Sequence, residues 1–166
     1  MAQKARLEID EVIGFDRLPN WQDQQRLPYC RALLKELNRW APIAIAGVPH
    51  ETTHEIIYDK YTIPANTILI PNIPALSRNR ERYDSPDVFD PRRFIGDDKD
   101  AAASARCPDY GSRDHFQFGF GKRFCPGSYV AEGSLYMAVS RIIWGFEIHN
   151  IKGQDLNMNE QRYSNS

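Results

Sequence analysis

Apolar and polar positions in the first forty residues recur with the spacing of helices. Residues 2–13 place isoleucine, leucine and valine among lysine, arginine and glutamate, a pattern that predicts the end of an amphipathic helix. Over residues 29–40, Leu33 and Leu37 fall on one face, and Pro42 stops the pattern. A second helix is therefore predicted there.

After Pro42, short β-branched runs replace the helical spacing. Residues 43–46, 55–57 and 67–70 are each bounded by turn-forming residues, and such runs are typical of short strands. Asn66 can adopt the left-handed conformation that a tight turn needs. These segments predict a small β-sheet.

Residues 74–117 form a long segment rich in arginine, aspartate, proline and serine, with neither helical nor strand periodicity. Because compact domains seldom contain such a loop without a purpose, a covering or binding role is expected. After Gly127 the helical spacing returns as a wide apolar stripe. The stripe comprises Val130, Leu135, Ala138, Val139, Ile142, Ile143 and Phe146. The elements together predict a mainly α protein with a small β-sheet, in the α+β class.

Composition argues against several classes of function. The 166 residues carry a formal net charge of -1, which gives no reason to expect nucleic-acid binding. The sequence contains no run of about 18 apolar residues, so no membrane span is expected, and its N-terminus does not resemble a signal peptide. Cys30, Cys107 and Cys125 are odd in number and far apart. This spacing argues against a disulfide framework or a zinc site and favours a reducing setting.

The strongest chemical signal is the ten-residue loop Phe-Gly-Phe-Gly-Lys-Arg-Phe-Cys-Pro-Gly, which begins at Phe118. Cys125 lies just before a predicted helix, whose N-terminus supplies partial positive charge and free N–H groups that favour a thiolate. Gly121 and Gly127 let the backbone pass close to a flat cofactor. Phe118 can shield the sulfur from water, and Arg123 can reach an anionic group at the cofactor edge. This arrangement suits a cysteine that ligates haem iron.

The alternative is a structural cysteine in a turn before a helix, since free cysteines are usually buried and inert. The complete pattern Phe-x-x-Gly-x-Arg-x-Cys-x-Gly is far more restrictive than a lone cysteine. With this loop the chain resembles the cytochrome P-450 superfamily of haem-thiolate monooxygenases. The resemblance implies haem b as the cofactor and Cys125 as the axial ligand of its iron.

Two further segments carry the resemblance. Glu36-Leu-Asn-Arg39 looks like the family's Glu-x-x-Arg helix, in which the two charged residues share one helix face. Residues 89–94 look like the Pro-Glu-Arg-Phe segment, with Arg92 where glutamate is common. The resemblance implies a buried structural network of Glu36, Arg39 and Arg93. A solvated surface pair is the alternative for Glu-x-x-Arg taken alone.

The segment that follows this helix resembles eukaryotic members of the family. The resemblance implies that His50 contacts a haem propionate, as Arg123 would, and a surface histidine is the alternative. Residues 43–48 would line the substrate side of the haem, although their apolar character equally fits core packing. The sequence is most similar to fungal microsomal-type members, which implies a setting in secondary metabolism.

The resemblance extends over nearly all of residues 1–166 but corresponds to about the C-terminal third of a family member. A single partial domain is therefore expected, without the distal helix and its acid–alcohol pair, the N-terminal anchor or the last hairpin. No catalytic residue is assigned, because Thr52 and Thr53 follow the Glu-x-x-Arg helix and cannot replace that pair. Residues 163–166 are expected to lie where the last hairpin would turn. A fragment, a truncated gene product and an incomplete gene model all fit this pattern.

The activity implied by the resemblance is insertion of one atom of dioxygen into a small hydrophobic organic substrate. NADPH–cytochrome P-450 reductase would supply electrons, and Lys122 with nearby basic residues would either dock it or serve solubility alone. Full-length members reside in the endoplasmic reticulum membrane through an anchor that this sequence lacks, so the chain is expected to be soluble. Turnover by this chain alone is not expected. The alternatives are a truncated, non-catalytic haem-binding module and a degenerate remnant.

Overall fold

The computed structural model describes residues 1–149 and consists of helices with two short strand pairs between them. In chain order the elements are α1 Ala2–Val12, α2 Pro28–Trp40, β1 His50–Glu51, β2 Ile56–Tyr58, β3 Tyr61–Ile63, β4 Ile68–Leu69, α3 Ile73–Ser77, α4 Ala101–Ala105 and α5 Ser128–Gly145. Single 3₁₀ segments lie at Trp21–Arg26, Pro91–Phe94 and Gly121–Arg123. The prediction of a mainly α chain with little β-structure is confirmed. The expected hairpin turn at 163–166 lies outside the described residues.

The core lies where α1, α2 and α5 meet. Its fully or nearly buried members are Ala5, Ile9, Leu27, Cys30, Leu33, Leu34, Tyr136 and Ile143. The start of α2 has no side-chain cap of its own. Instead, Glu8 of α1 accepts hydrogen bonds from the backbone N–H groups of Tyr29 (2.7 Å) and Cys30 (2.9 Å). A carboxylate at a helix N-terminus satisfies free donors and complements the helix dipole, so α1 fixes where α2 begins.

The buried face of α5 overlaps the predicted apolar stripe only in part: Ile143 is buried, and Leu135 and Val139 pack against the core while partly exposed. The residues that the helix buries are Ser128, Glu132, Tyr136, Ser140 and Ile143. Val130 and Ile142 of the predicted stripe are 74% and 48% exposed. Because α5 carries apolar residues on most sides, its composition does not select one face. Packing of Tyr136 against α1 and α2 selects the buried face, and this face also carries Glu132 into the interior.

The strands form two separate antiparallel pairs. Strand β1 pairs with β4, and β2 pairs with β3 as a hairpin. The predicted strands near 55–57 and 67–70 are confirmed, as is the left-handed turn residue Asn66, with φ +60°. The strand predicted at 43–46 is wrong. There the chain turns, because Ala44 O accepts from the N–H of Gly47 (3.3 Å), which has φ +56°.

The segment predicted as a long irregular loop contains ordered short helical turns. Each begins with a polar side chain that accepts a backbone N–H of the first turn: Asn72 for α3, Asp90 for the 3₁₀ segment and Asp100 for α4. Such caps stabilise helices too short to show a hydrophobic period, which is why periodicity missed them. Within residues 1–149, no helix is long and apolar enough to cross a membrane.

Candidate functional site

The loop before α5 is held by its own backbone and presents Cys125 half-buried. The N–H of Cys125 donates to Phe118 O at 2.8 Å, which closes the loop across seven residues. Gly119 and Gly121 have φ +82° and +57°, conformations that side chains other than glycine rarely adopt. The sequence pattern of glycines therefore follows from the path that the backbone takes around the cysteine.

Gly127 leaves the sulfur accessible on the side of the helix. A Cβ added at Gly127 would lie 4.0 Å from Cys125 Sγ, in ordinary contact with the sulfur, so the glycine keeps this space open. Two bonds lead from the loop into α5: the N–H of Ser128 donates to Cys125 O (3.4 Å), and that of Ala131 donates to Gly127 O (2.9 Å). Cys125 thus lies at the N-terminus of an 18-residue helix, where partial positive charge favours an anionic ligand.

The other two cysteines have different surroundings. Cys30 is 3% exposed in the core, and burial together with the nearby Glu8 carboxylate raises the pKa of its thiol. Cys107 is half-buried at the end of the turn that follows α4. All three are free thiols. Only Cys125 lies in a glycine loop at a helix N-terminus, so it alone has the surroundings of a metal ligand.

His50 and Arg123, 73 positions apart, line one groove of about 270 Å³. Val48, Pro49 and Glu51 complete the groove. Both basic side chains are exposed, so their polar groups are available to an incoming anion. The structure thereby brings together the two residues for which the sequence predicted the same role, with the groove directly beside the cysteine loop.

A second hollow, of about 400 Å³, lies between α2, α5 and the start of the cysteine loop. Its apolar walls come from Ile43, Ala44, Phe118, Ala131 and Leu135, and its polar members are Asn38, Gln117 and Glu132. Each polar member has a buried atom without a hydrogen-bond partner among the described residues: Asn38 Nδ2, Gln117 Oε1 and Glu132 Oε2. An apolar hollow with a few converging polar atoms is the usual form of a ligand or cofactor site.

Glu132 is a buried carboxyl in this hollow that the sequence prediction missed. Burial and the neighbouring Asp100 carboxylate raise its pKa to about 7, against the opposing effects of the Ala101 backbone and Lys35. The signal was present in the sequence as a glutamate within an otherwise apolar helix, seven positions after Cys125. It was not recognised because the predicted apolar stripe placed Glu132 at its edge instead of in the interior.

Glu36, Arg39 and Arg93 meet in the structure. Arg39 donates two hydrogen bonds to the Glu36 carboxylate, at 2.7 and 2.8 Å, and both side chains are fully buried. Arg93 Nε lies 3.5 Å from Glu36 Oε1. Arg39 also donates to the carbonyl oxygens of Ser77 (2.9 Å) and Pro86 (2.8 Å). The alternative of a solvated surface pair is therefore wrong, because α2 buries this pair and ties it to the following loop.

Arg92, which stands where the family pattern commonly has glutamate, lies outside this network. It donates to Asp90 at 2.8 Å, and its side chain is 75% exposed. The hydrogen bond from Arg92 lowers the pKa of Asp90 to about 2. The backbone N–H of Asp90 in turn donates to Glu36 Oε1 at 2.7 Å. Arg92 therefore pairs with Asp90 at the surface, next to the network but outside it.

A second charged cluster joins α2 to the segment before the cysteine loop, and no sequence pattern predicts it. Lys35 is 1% exposed and lies between Asp97 (2.5 Å) and Asp114 (2.9 Å). Asp114 also bonds to Ser104 and to His115 (2.6 Å). Burial raises the pKa of Asp114, but the His115 hydrogen bond and the charge of Lys35 outweigh burial and hold that pKa below its ordinary value.

The residues around Cys125 fit the haem group that the sequence implies. A thiolate is a soft ligand suited to haem iron, and the glycine at 127 leaves room beside the sulfur. The cysteine loop contributes Phe118 to the apolar hollow and Arg123 to the basic groove, so it borders both kinds of surface that an amphiphilic tetrapyrrole requires. Within the described part of the chain, no cluster of three or more His, Cys, Asp or Glu side chains offers a different metal site.

Comparisons with known proteins agree with this geometry. The family model described as Cytochrome P450 matches residues 1–164. Cytochrome P450 monooxygenase polD of Polytolypa hystricis is 54% identical over 160 residues, which cover 96% of this chain and 31% of that protein. A cytochrome P450 monooxygenase of Gibberella fujikuroi is 42% identical, over 98% of this chain and 30% of that protein. The predicted similarity to fungal members is confirmed.

A solved structure of zebra fish cytochrome P450 with abiraterone superimposes with a TM-score of 0.71 and 26% identity. The superposition covers 86% of this chain and 31% of that one. The chain thus spans about a third of the length of the relatives it matches. The predicted fold class, mainly α with a small amount of β-structure, is confirmed, and it matches part of a longer structure.

Proposed function

This chain belongs to the cytochrome P450 family, and from that membership we propose that Cys125 is the axial thiolate ligand of a haem iron. Haem with a thiolate ligand supplies dioxygen activation and the insertion of one oxygen atom into an organic substrate. The activity proposed for the whole protein is accordingly a haem-thiolate monooxygenase. The 166 residues are proposed to form the cysteine side of the haem site.

The observation that supports this proposal most directly is the shared groove of His50 and Arg123 beside the cysteine loop. In the proposed function, both side chains bind haem propionates, with Arg123 placed two residues before the ligand. Charge-assisted hydrogen bonds to carboxylates are among the stronger polar contacts in proteins. Phe118, whose carbonyl already accepts from the Cys125 N–H, keeps water from the sulfur.

The glycines have a passive role in the same proposal. Gly121, at φ +57°, carries the loop through a conformation closed to most residues, and nothing lies within 4 Å of a Cβ placed there. Gly127 keeps side-chain atoms away from Sγ. The network of Glu36, Arg39 and Arg93 is proposed as structural support of the loop that covers this side of the site. None of its members is proposed as catalytic.

Substrate and partner follow from the surfaces beside the site. Ile43 and Val48, 88% and 69% exposed, are proposed to line the substrate side, which favours a small hydrophobic substrate. Lys122 is exposed next to the cysteine, so this face, with nearby basic residues, is proposed to receive an acidic redox partner such as NADPH–cytochrome P-450 reductase. Complementary charge speeds such encounters. Secondary metabolism is the proposed setting.

A second candidate function is haem binding without turnover. The exposure of Ile43 and Val48 favours it for the 166 residues alone, because oxygen activation requires a site from which water is excluded. In that case the chain would ligate haem through Cys125 and oxidise no substrate. The two candidates share the ligand and differ only in activity.

One experiment tests the ligand and separates the candidates. The chain is loaded with haem, reduced under carbon monoxide, and its absorption spectrum is recorded for the wild type, Cys125→Ala and Cys107→Ala. A red-shifted thiolate-type Soret band in the wild type and in Cys107→Ala, lost in Cys125→Ala, is expected. A band that survives in Cys125→Ala would refute the assignment. Oxidation of an apolar substrate in the presence of reductase would favour the monooxygenase over the binding module.

A further inference from the structure

One side chain outside the cysteine loop holds both ends of the segment that contains Cys125. The guanidinium carbon of Arg106 lies 4.8 Å from the ring centre of Phe124 and 4.7 Å from that of Tyr129. Its Nη2 donates to Ser128 Oγ at 3.3 Å. Phe124 immediately precedes the cysteine, while Ser128 and Tyr129 open α5. Arg106 therefore contacts the chain on each side of Cys125.

The backbone that carries Arg106 is firmly placed. Arg106 ends α4, whose residues Ala101, Ala102 and Ala105 are at most 1% exposed, and α4 packs against α5. The N–H of Arg106 donates to Ala103 O at 3.2 Å. The guanidinium thus extends from a buried helix toward the loop, and its anchor does not depend on the loop's own conformation.

We propose that Arg106 is a positioning residue for Cys125, which holds residues 124–129 so that the sulfur keeps the geometry needed to ligate iron. This inference rests on the proposed function of Cys125. A cation over an aromatic face is attracted by the ring, and a planar guanidinium can contact two rings and a hydroxyl together. The loop's internal bonds fix its path around the glycines, and Arg106 fixes how that path meets α5.

The first test uses the chain without haem and measures amide hydrogen exchange in the wild type and Arg106→Ala. Exchange in residues 118–128, including the Cys125 N–H bonded to Phe118, is expected to rise about tenfold, the scale of two lost cation–π contacts. Exchange in α2 is expected to stay unchanged. If the loop exchanges at the same rate in Arg106→Ala as in the wild type, the inference is overturned. It is also overturned if exchange rises as much throughout α2 as in the loop, because that would indicate general destabilisation.

The second test follows the haem-loaded chain. After reduction under carbon monoxide, the thiolate-type Soret band is expected to convert to the non-thiolate form about tenfold faster in Arg106→Ala than in the wild type. Arg106→Lys keeps the charge but loses the planar group, so its rate is expected to lie between the two. Lys60→Ala, which removes an exposed cation 5.5 Å from the Tyr61 ring, is the matched control and is expected to behave as the wild type.

The outcomes separate this inference from the function on which it rests. If the wild type gives no thiolate-type band that depends on Cys125, the proposed function fails, and the exchange experiment still decides whether Arg106 orders the loop. If the band depends on Cys125 but persists equally in Arg106→Ala, the positioning role is overturned and the ligand assignment stands.

Discussion

Glu36 and Arg39 are joined within α2 by two hydrogen bonds, at 2.7 and 2.8 Å, and neither side chain is exposed to solvent. Removing one partner of such a pair leaves a buried charge without compensation. The Arg39→Leu variant is therefore expected to lose about 3–5 kcal/mol in free energy of unfolding. Urea denaturation followed by circular dichroism measures this loss. Arg92→Leu, which removes an exposed arginine from the same region, is the control and is expected to unfold near the wild-type midpoint.

His50 and Arg123 are expected to contribute separately to haem affinity. Loss of a charge-assisted hydrogen bond to a propionate weakens binding, so His50→Ala and Arg123→Ala should each raise the dissociation constant for haem about tenfold. Titration of the apoprotein with haem, followed by absorbance, gives these constants. His54→Ala removes an exposed histidine outside the groove and should have no effect. An equal loss in His54→Ala and His50→Ala would contradict the proposed propionate contact.

Glu132 should make stability fall as the solution becomes more alkaline. In the unfolded chain its pKa is about 4.5, whereas burial holds the folded pKa at about 7. Between these values the folded state binds the proton and the unfolded state does not, so the free energy of unfolding decreases as pH rises through this window. The decrease is on the order of 3 kcal/mol. Denaturation of Glu132→Gln at several pH values should give a flatter dependence of the free energy of unfolding on pH than that of the wild type. The control Glu11→Gln, on the exposed side of α1, should keep the wild-type dependence.

Asp114 should make the free energy of unfolding depend on pH in the opposite direction. Its folded pKa lies below the ordinary value, so its stabilising contribution is present above about pH 4 and is lost as the pH falls further. Asp114→Asn should reduce stability at pH 7 by on the order of 2 kcal/mol and weaken the dependence on acid. Denaturation at pH 7 and pH 3 provides the comparison. A variant that is as stable as the wild type at pH 7 would show that Lys35 and His115 do not depend on this carboxylate.

The parts of the structure that the sequence predicts are those with a local cause. Helices α1 and α2 follow from apolar spacing, and the path around Cys125 follows from glycines at positive φ. The groove was predictable only through resemblance, because nothing in the spacing of His50 and Arg123 indicates that they meet. The position of His50 beside Arg123 depends on how β1 packs near the cysteine loop, which is a property of the tertiary fold.

The errors have a common physical origin. Residues 43–46 are apolar enough for a strand, but the backbone of this segment turns at Gly47 instead of pairing. On α5, apolar side chains occur on several faces, so the interior is chosen by Tyr136 and its neighbours in the core. Lys35 and Glu132 were missed for a related reason. Buried charges are placed by partners far away in sequence, and a pattern of apolar positions does not contain those partners.

The bonds from Arg39 to the carbonyl oxygens of Ser77, Pro86 and Val88 have a consequence for how this chain can change over evolutionary time. A carbonyl oxygen is present in every amino acid, so the arginine recognises the path of residues 77–88 without recognising their side chains. The loop can therefore exchange many residues and keep its course, provided that the helix keeps one guanidinium. Part of the information that shapes residues 77–88 is therefore stored in α2, about forty residues upstream of this loop.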